Sequence, residues 1–253
     1  METRLRTIAM VVEYDGTHYH GMQRQSALPT VAGELERALS VLFGHDVRVV
    51  AAGRTDAGVH AVGQVISCAT QSTFDLGRLP IAASAMLRDA RIAIVRAVER
   101  ETGFSARRHA LARTYRYRIL NRAAPSPLSA RRAFHVRARL DVEAMRAAAE
   151  SLVGEHDFRA FCATPPPRGG TVRTVTALTV ERVGDFVEIW ITADSFLHQM
   201  VRIATGTLID VGRGKLAQSA ISDILAGGRR DVSGFTAPAH GLYLERVHYA
   251  EPI

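Results

Sequence analysis

The first half of the chain combines one periodic apolar stripe with several short apolar runs. The stripe consists of Val31, Leu35, Ala38, Leu39 and Leu42. Its intervals of three and four residues predict a helix, with Thr30 as the N-cap and Gly44 at the end. The other predicted elements are strands at Thr7–Tyr14, Val47–Ala52, Gln64–Thr70 and Ile92–Val98 and a helix at Leu79–Leu87. This order of strands and helices is typical of a split βαβ unit.

The second half begins with a strand, Arg113–Leu120, in which aromatic and basic side chains alternate. Tyr115 and Tyr117 fall on one face of this strand, because successive side chains point to opposite faces. Arg116 and Arg118 fall on the other face, and such a strand suits nucleic acid, with rings for bases and guanidinium groups for phosphates. The later predicted elements are a helix from Asp141 to Val153, an irregular rim loop at residues 164–170, strands at Thr171–Arg182 and Phe186–Ala193, a helix from a Ser195 N-cap to about Leu208, a helix at Ala217–Leu225 and a strand at Tyr243–Ala250.

A loop between two predicted strands carries a single carboxylate. In residues 51–61, Asp56 stands between Gly53 and Gly58, with Arg54 close by. The two glycines give the backbone freedom and leave room for a ligand beside the carboxylate. Asp56 is therefore the candidate catalytic residue, although an aspartate that only caps its own turn would have the same pattern.

Charge is distributed unevenly along the chain. The net charge is +7, from 32 basic and 25 acidic residues, but residues 102–140 contain ten arginines and no Asp or Glu. The ten are Arg107, Arg108, Arg113, Arg116, Arg118, Arg122, Arg131, Arg132, Arg137 and Arg139. This segment carries the whole positive excess, which is expected of a face that binds a polyanion such as RNA.

Composition limits the class of protein. A chain of 253 residues with 47% hydrophobic content can form one large domain or two closely packed halves. Cys68 and Cys162 are the only cysteines and stand in no metal-ligand spacing, so we expect neither a disulfide nor a metal site. The apolar run Ile8–Val12 is too short for a signal peptide or a membrane span. We therefore expect a soluble, cytoplasmic protein.

Several short motifs follow the same order as in one known family. They are Tyr14 to Gly16, Gly21 to Gln25, Gly53 to His60, Tyr115 to Tyr117, Gly154 with His156 to Phe158, Phe196 to Arg202 and Gly241 to Tyr243. On these residues, and over nearly its whole length, the chain resembles the tRNA pseudouridine synthases of the TruA type. It departs from that family at Met22, where tryptophan is usual, and at Ser84 and Arg88, where asparagine and proline are frequent.

The resemblance implies a fold and an assembly. The fold class is α+β, with a mixed, mostly antiparallel sheet flanked by helices and two similar halves around a central cleft. Residues 1–105 are the half that carries the aspartate loop, and residues 106–253 are the half that carries the basic segment, the stacking tyrosine and the arginine helix. The resemblance also implies a homodimer that binds tRNA, and it implies no cofactor and no metal.

The resemblance further implies a reaction, the isomerisation of uridine to pseudouridine in the anticodon stem-loop of tRNA, at positions 38, 39 or 40. Asp56 is then the nucleophile, which can attack either the ribose C1′ or the uracil C6. By the same resemblance, Tyr115 stacks on the target uracil and Arg202 pairs with Asp56. Three more arginines contact the RNA: Arg54 in the space that the flipped nucleotide vacates, and Arg24 and Arg107 along the backbone.

Two other functions use the same residues. One is a metal-dependent nuclease, with an ion held by Asp56, His60, His18 and His20. The other is a non-catalytic RNA chaperone, which needs only the basic segment and the tyrosines. Tight metal binding would favour the nuclease, and activity that survives the loss of Asp56 would favour the chaperone.

Overall fold

The computed structural model describes residues 4–253, and the chain divides into two compact units. The first unit contains the described residues up to Arg113 together with Leu244–Ile253, and the second contains Thr114–Tyr243. The division of the family's two halves at residues 105 and 106 stays a prediction. Within residues 4–253, no helix is long and apolar enough to cross a membrane.

The first unit is built on strands that lie in the order β4-β1-β3-β10, with the short β2 paired to β3. Its elements are β1 (Arg6–Tyr14), α1 (Val31–Phe43), β2 (Val50–Ala51), β3 (His60–Thr70), α2 (Leu79–Met86), β4 (Ile92–Arg100) and most of the last strand, β10 (Leu242–His248). β1 runs antiparallel to both β3 and β4, so the N-terminal strand is central. Its residues Ile8, Ala9, Met10 and Val12 are fully buried, as the apolar run predicts.

The helix predicted from the apolar stripe is confirmed in α1. Thr30 Oγ1 accepts the Gly33 N–H at 3.3 Å, which satisfies one of the free amides of the first turn. Gly44 ends the helix in the left-handed conformation, with φ at 74°. Leu35, Ala38 and Leu39 are fully buried on the inner face.

The second unit is built on strands in the order β5-β9-β8-β7. Its elements are most of β5 (Ala112–Leu120), β6 (Phe134–His135), α3 (Val142–Glu150), β7 (Gly154–Asp157), β8 (Val172–Val183), β9 (Phe186–Ala193), α4 (Met200–Gly212) and α5 (Ala220–Gly227). β7, β8 and β9 pair antiparallel, and β6 pairs parallel with β5. α3 packs against both α4 and β8. The strands are therefore mixed and mostly antiparallel with flanking helices, which confirms the expected α+β class.

The predicted start of α4 is wrong. The helix begins at Met200, and its N-cap is Gln199 in the left-handed conformation with φ at 60°, so Ser195 does not cap it. The Ser195 N–H and hydroxyl both donate to Asp194 Oδ1 instead. The intervening segment is not helical, and it buries Leu197. Helical spacing of apolar residues alone did not reveal this interruption.

Candidate functional site

The loop that carries Asp56 is held at its start by the amide of a buried glutamine. Gln64 Oε1 accepts the Gly53 N–H at 3.2 Å, and Gln64 Nε2 donates to Gly53 O at 2.9 Å. Gln64 has no exposed surface, and its two bonds to Gly53 fix the point where the loop leaves β2. The sequence signal was the one amide side chain of a mostly apolar strand, and sequence reasoning missed it.

Residues 16–22 hold the middle of the loop by backbone hydrogen bonds. The Met22 N–H donates to Thr55 O at 3.1 Å, and the Gly58 N–H donates to Tyr19 O at 3.3 Å. Gly21 has φ at 94°, and a Cβ there would lie 2.6 Å from Thr55 O, so only glycine allows this approach. The backbone on both sides of Asp56 is therefore fixed.

A buried tyrosine supports the residue before Asp56. The Tyr14 hydroxyl and Thr55 Oγ1 are 2.7 Å apart in a buried environment. Burial raises the pKa of Tyr14 to about 12, and the bond with Thr55 opposes this shift only in part. Tyr14 therefore stays neutral and keeps its proton at physiological pH. Asp56 itself is half-exposed, so its carboxylate stands on a fixed loop within reach of a ligand.

The three arginines predicted for RNA contact in the first unit are all exposed, and they differ in their surroundings. Arg54 lies on the Asp56 loop, two residues from the carboxylate. Arg24 Nη1 donates to Glu36 Oε2 at 3.0 Å, which anchors Arg24 to α1. Arg107 lies in the turn before β5, where its carbonyl accepts from Arg113 Nη2 at 3.2 Å. The arginines of this unit thus include one beside the candidate nucleophile and one tied to a helix.

The predicted stacking tyrosine of the second unit faces another aromatic ring. The rings of Tyr115 and Phe196 meet edge to face, with centroids 5.1 Å apart and planes at 86°. Tyr115 is 8% exposed, whereas Tyr117 is fully buried and its hydroxyl donates to Pro238 O at 2.7 Å. Sequence reasoning missed this contact, because Tyr115 and Phe196 are far apart in the sequence.

Arg202 lies in the first turn of α4 and is held by the chain near residue 237. Its Nε donates to Ala237 O at 2.8 Å, and the Ala237 N–H donates back to Arg202 O at 3.0 Å. Burial raises the pKa of Tyr117, and the positive charge of Arg202 acts against that shift. The second unit therefore brings Arg202 into the neighbourhood of the β5 tyrosines.

The basic face of β5 is partly neutralised by a carboxylate from β9. Arg116 Nη1 and Arg118 Nε donate to Glu188 Oε1 at 3.2 and 3.0 Å. The guanidinium of Arg116 also lies over the ring of Trp190, 5.1 Å from its centroid. The absence of acids from residues 102–140 therefore does not leave all of these arginines available for phosphate.

The histidines proposed as metal ligands do not form a cluster. Among residues 4–253, no group of three His, Cys, Asp or Glu side chains is arranged to hold a metal ion. His60 is buried, and its Nδ1 accepts the Gly16 N–H at 3.2 Å. His18 and His20 are both exposed on the loop after β1.

Comparison with known proteins agrees with this architecture. A family profile described as tRNA pseudouridine synthase matches residues 10–107 and 148–250. The tRNA pseudouridine synthase A of Moorella thermoacetica is 46% identical over 244 residues, which covers 96% of this chain and 99% of the relative. The proteins of that name from Thermoanaerobacter sp. (strain X514) and Caulobacter vibrioides are each 42% identical over 97% and 96% of this chain, and over 100% and 98% of their own lengths. Matches of this extent show that the chain belongs to the tRNA pseudouridine synthase family, whose members are isomerases.

Proposed function

We propose that this protein isomerises uridine to pseudouridine in the anticodon stem-loop of tRNA, on the 3′ side, with Asp56 as the nucleophile. The observation that supports it best is the loop of Asp56, which is fixed before and after the carboxylate by Met22, Tyr19 and Gln64. A nucleophile held in one place reduces the entropic part of the reaction barrier.

The proposed reaction is balanced without a cofactor. The C1′–N1 bond of uridine breaks, the uracil turns, and a C1′–C5 bond forms. C5 loses its hydrogen as a proton, and N1 gains one. A carboxylate can assist by a transient covalent bond to C1′ or to C6, because both are electrophilic positions of the substrate.

For the other site residues we propose the roles that the family resemblance gives. Tyr115 stacks on the extruded uracil, Arg202 favours the anionic form of the catalytic carboxylate, and Arg54 occupies the vacated space in the RNA. Arg24 and Arg107 hold the RNA backbone. The hydrogen bond from Arg24 to Glu36 holds the guanidinium of Arg24 in position. We also propose that the protein acts as a homodimer in the cytoplasm.

The test is tritium release from tRNA labelled at uracil C5, because substrate and product have the same mass. Asp56→Asn keeps the shape of the side chain but removes its charge and its nucleophilic oxygen, so tRNA binding should persist while turnover is abolished. Asp89→Asn is the matched control, because Asp89 is exposed and lies outside the loop. Substantial release by folded Asp56→Asn would remove Asp56 from this role.

The same assay separates the two other functions. If the wild type releases no tritium from any tRNA, the isomerase proposal is wrong. Metal-dependent cleavage of the RNA would then indicate a nuclease. RNA annealing that is unchanged in Asp56→Asn would indicate a chaperone.

A further inference from the structure

Two motif residues to which the proposed chemistry gives no role, His60 and Asp15, meet beside the Asp56 loop. His60 begins β3 and is 1% exposed. Its Nδ1 accepts the Gly16 N–H at 3.2 Å, and Asp15 Oδ1 lies 3.2 Å from the same nitrogen. Unprotonated, this nitrogen accepts from Gly16, and protonated it donates to Asp15. The imidazole therefore bonds Gly16 in one protonation state and Asp15 in the other, so this turn holds it in both.

Asp15 is itself held in place by three donors. Its Oδ1 accepts the Thr17 N–H at 3.1 Å and the Thr17 hydroxyl at 2.6 Å, and its Oδ2 accepts from Arg91 Nη1 at 3.2 Å. The side chain of Asp15 is only 9% exposed. Asp15, the partner of His60, is therefore fixed in its turn, and Arg91 links it to the start of β4.

The turn at Gly16 is in direct contact with Val59, which follows Asp56 in the loop. A Cβ on Gly16 would lie 1.9 Å from Val59 O, so the two backbones are in the closest contact that glycine allows. The Val59 N–H in turn donates to Asp56 O at 3.2 Å. His60 therefore bonds the Gly16 turn, Gly16 contacts Val59, and Val59 bonds the backbone of Asp56.

We propose that His60 is a positioning residue for Asp56, whose imidazole fastens the turn at Asp15 and Gly16 against the end of the loop. The inference rests on the proposed catalytic role of Asp56. His60 does not take part in the chemistry itself, because its side chain is buried and out of reach of a substrate. Loss of the bond frees the loop after Asp56, and a nucleophile that moves from its position loses turnover rather than tRNA affinity.

The test compares three substitutions at one position. His60→Asn keeps a polar atom where Nδ1 stands, His60→Gln places its amide one bond further away, and His60→Leu removes the polar atom. Each variant is assayed at least about 15 °C below its own melting midpoint, so that kcat is measured on folded protein. Two quantities are measured: kcat and KM for tritium release, and hydrogen exchange of the backbone amides of residues 53–60.

We expect His60→Leu and His60→Gln to lower kcat by about tenfold or more with KM changed less than about twofold, and to speed exchange in residues 53–60. His60→Asn should keep both kcat and the exchange rates of residues 53–60 close to the wild-type values. The proposal is overturned if His60→Leu or His60→Gln keeps wild-type kcat and exchange, or if His60→Asn is no better than His60→Gln. If His60→Leu does not fold, the comparison of His60→Asn with His60→Gln decides.

Exchange does not depend on activity, so the two proposals fail in different ways. Wild-type protein without tritium release would refute the isomerase function, whatever the exchange shows. Wild-type activity with unchanged exchange in His60→Gln would refute the role of His60 and leave the function of Asp56 intact.

Discussion

Tyr115 and Tyr117 lie on the same face of one strand, yet the fold uses them differently. Tyr117 is fully buried, and its hydroxyl binds the carbonyl of Pro238. Tyr115 keeps a little exposure and packs edge to face on Phe196, just ahead of the helix that carries Arg202. The first environment is that of a structural side chain, and the second suits a ring that meets a substrate.

We predict that Tyr117→Leu lowers stability more, and that Tyr115→Leu lowers catalysis more. Tyr117→Leu leaves a cavity and an unpaired Pro238 carbonyl, at a cost of about 2–4 kcal/mol in the free energy of unfolding. Tyr115→Leu removes base stacking, worth roughly 1–3 kcal/mol, so kcat/KM should fall by about 5- to 150-fold. Urea unfolding and tritium release measure the two effects. Activity losses that follow the stability losses in both variants would assign both tyrosines to the core.

The sequence indicates candidate residues where a local pattern marks them, and it does not indicate contacts whose partner is distant in sequence. Asp56 was named as a candidate because two glycines flank it within its own loop, and its catalytic role stays a prediction. Gln64 and Phe196 were missed, because the contacts that matter join residues 11 and 81 positions apart. Such pairings depend on strand register and loop packing, which a local pattern does not specify.

At the scale of elements, two helices of the second unit begin in different ways. α3 begins after Asp141, whose Oδ1 accepts the Ala144 N–H at 3.0 Å. α5 begins after Ser219, whose side chain makes no capping bond. The two N-caps are both exposed, so they form a matched pair for measuring what the capping bond contributes.

We predict that Asp141→Ala lowers the free energy of unfolding by about 1 kcal/mol, because a first-turn amide loses its acceptor and the negative charge leaves the positive end of the helix. Ser219→Ala should change it by less than about 0.5 kcal/mol, since no capping bond is lost. The urea midpoint, compared at constant m, measures both. Equal effects of the two substitutions would contradict a capping role for Asp141.

Element types followed from apolar periodicity, whereas some boundaries did not. The caps of α1 and α3 lie where Thr30 and Asp141 predicted them. The start of α4 was wrong by several residues, because the left-handed Gln199 and the burial of Leu197 depend on tertiary packing. The short strand β7 was missed, since four residues carry too little pattern to identify a strand.

At the scale of the whole molecule, net charge overstates the positive surface that RNA can use. The protein carries +7, and the ten arginines of residues 102–140 exceed that value. Arg116 and Arg118 bind Glu188, and Arg122 binds Asp185 at 2.9 Å, both acids from outside the segment. Sequence counting identified the basic segment, but it could not assign these partners, because pairing across strands depends on the fold.

Arg107 and Arg118 therefore make a direct comparison. Arg107 is exposed, and within residues 4–253 its side chain forms no ion pair, whereas Arg118 is bonded to Glu188 and lies 4.5 Å from the ring centroid of Phe186. An arginine that neutralises an RNA phosphate releases about 0.7 to 0.9 counterions, which appears in the slope of log K against log salt. One that already neutralises a carboxylate contributes less to that slope.

We predict that tRNA binding weakens steeply with salt, and that Arg107→Ala flattens the slope by about 0.7 to 0.9, whereas Arg118→Ala flattens it by less than half as much. Fluorescence anisotropy of labelled tRNA at several salt concentrations gives the slope for each protein. Melting curves of both variants confirm that the fold is intact, because loss of Arg118 also disturbs its stack on Phe186. A slope that Arg107→Ala leaves unchanged would remove this residue from the RNA interface. A larger change for Arg118→Ala than for Arg107→Ala would mean that tRNA displaces Glu188 from its arginines on binding.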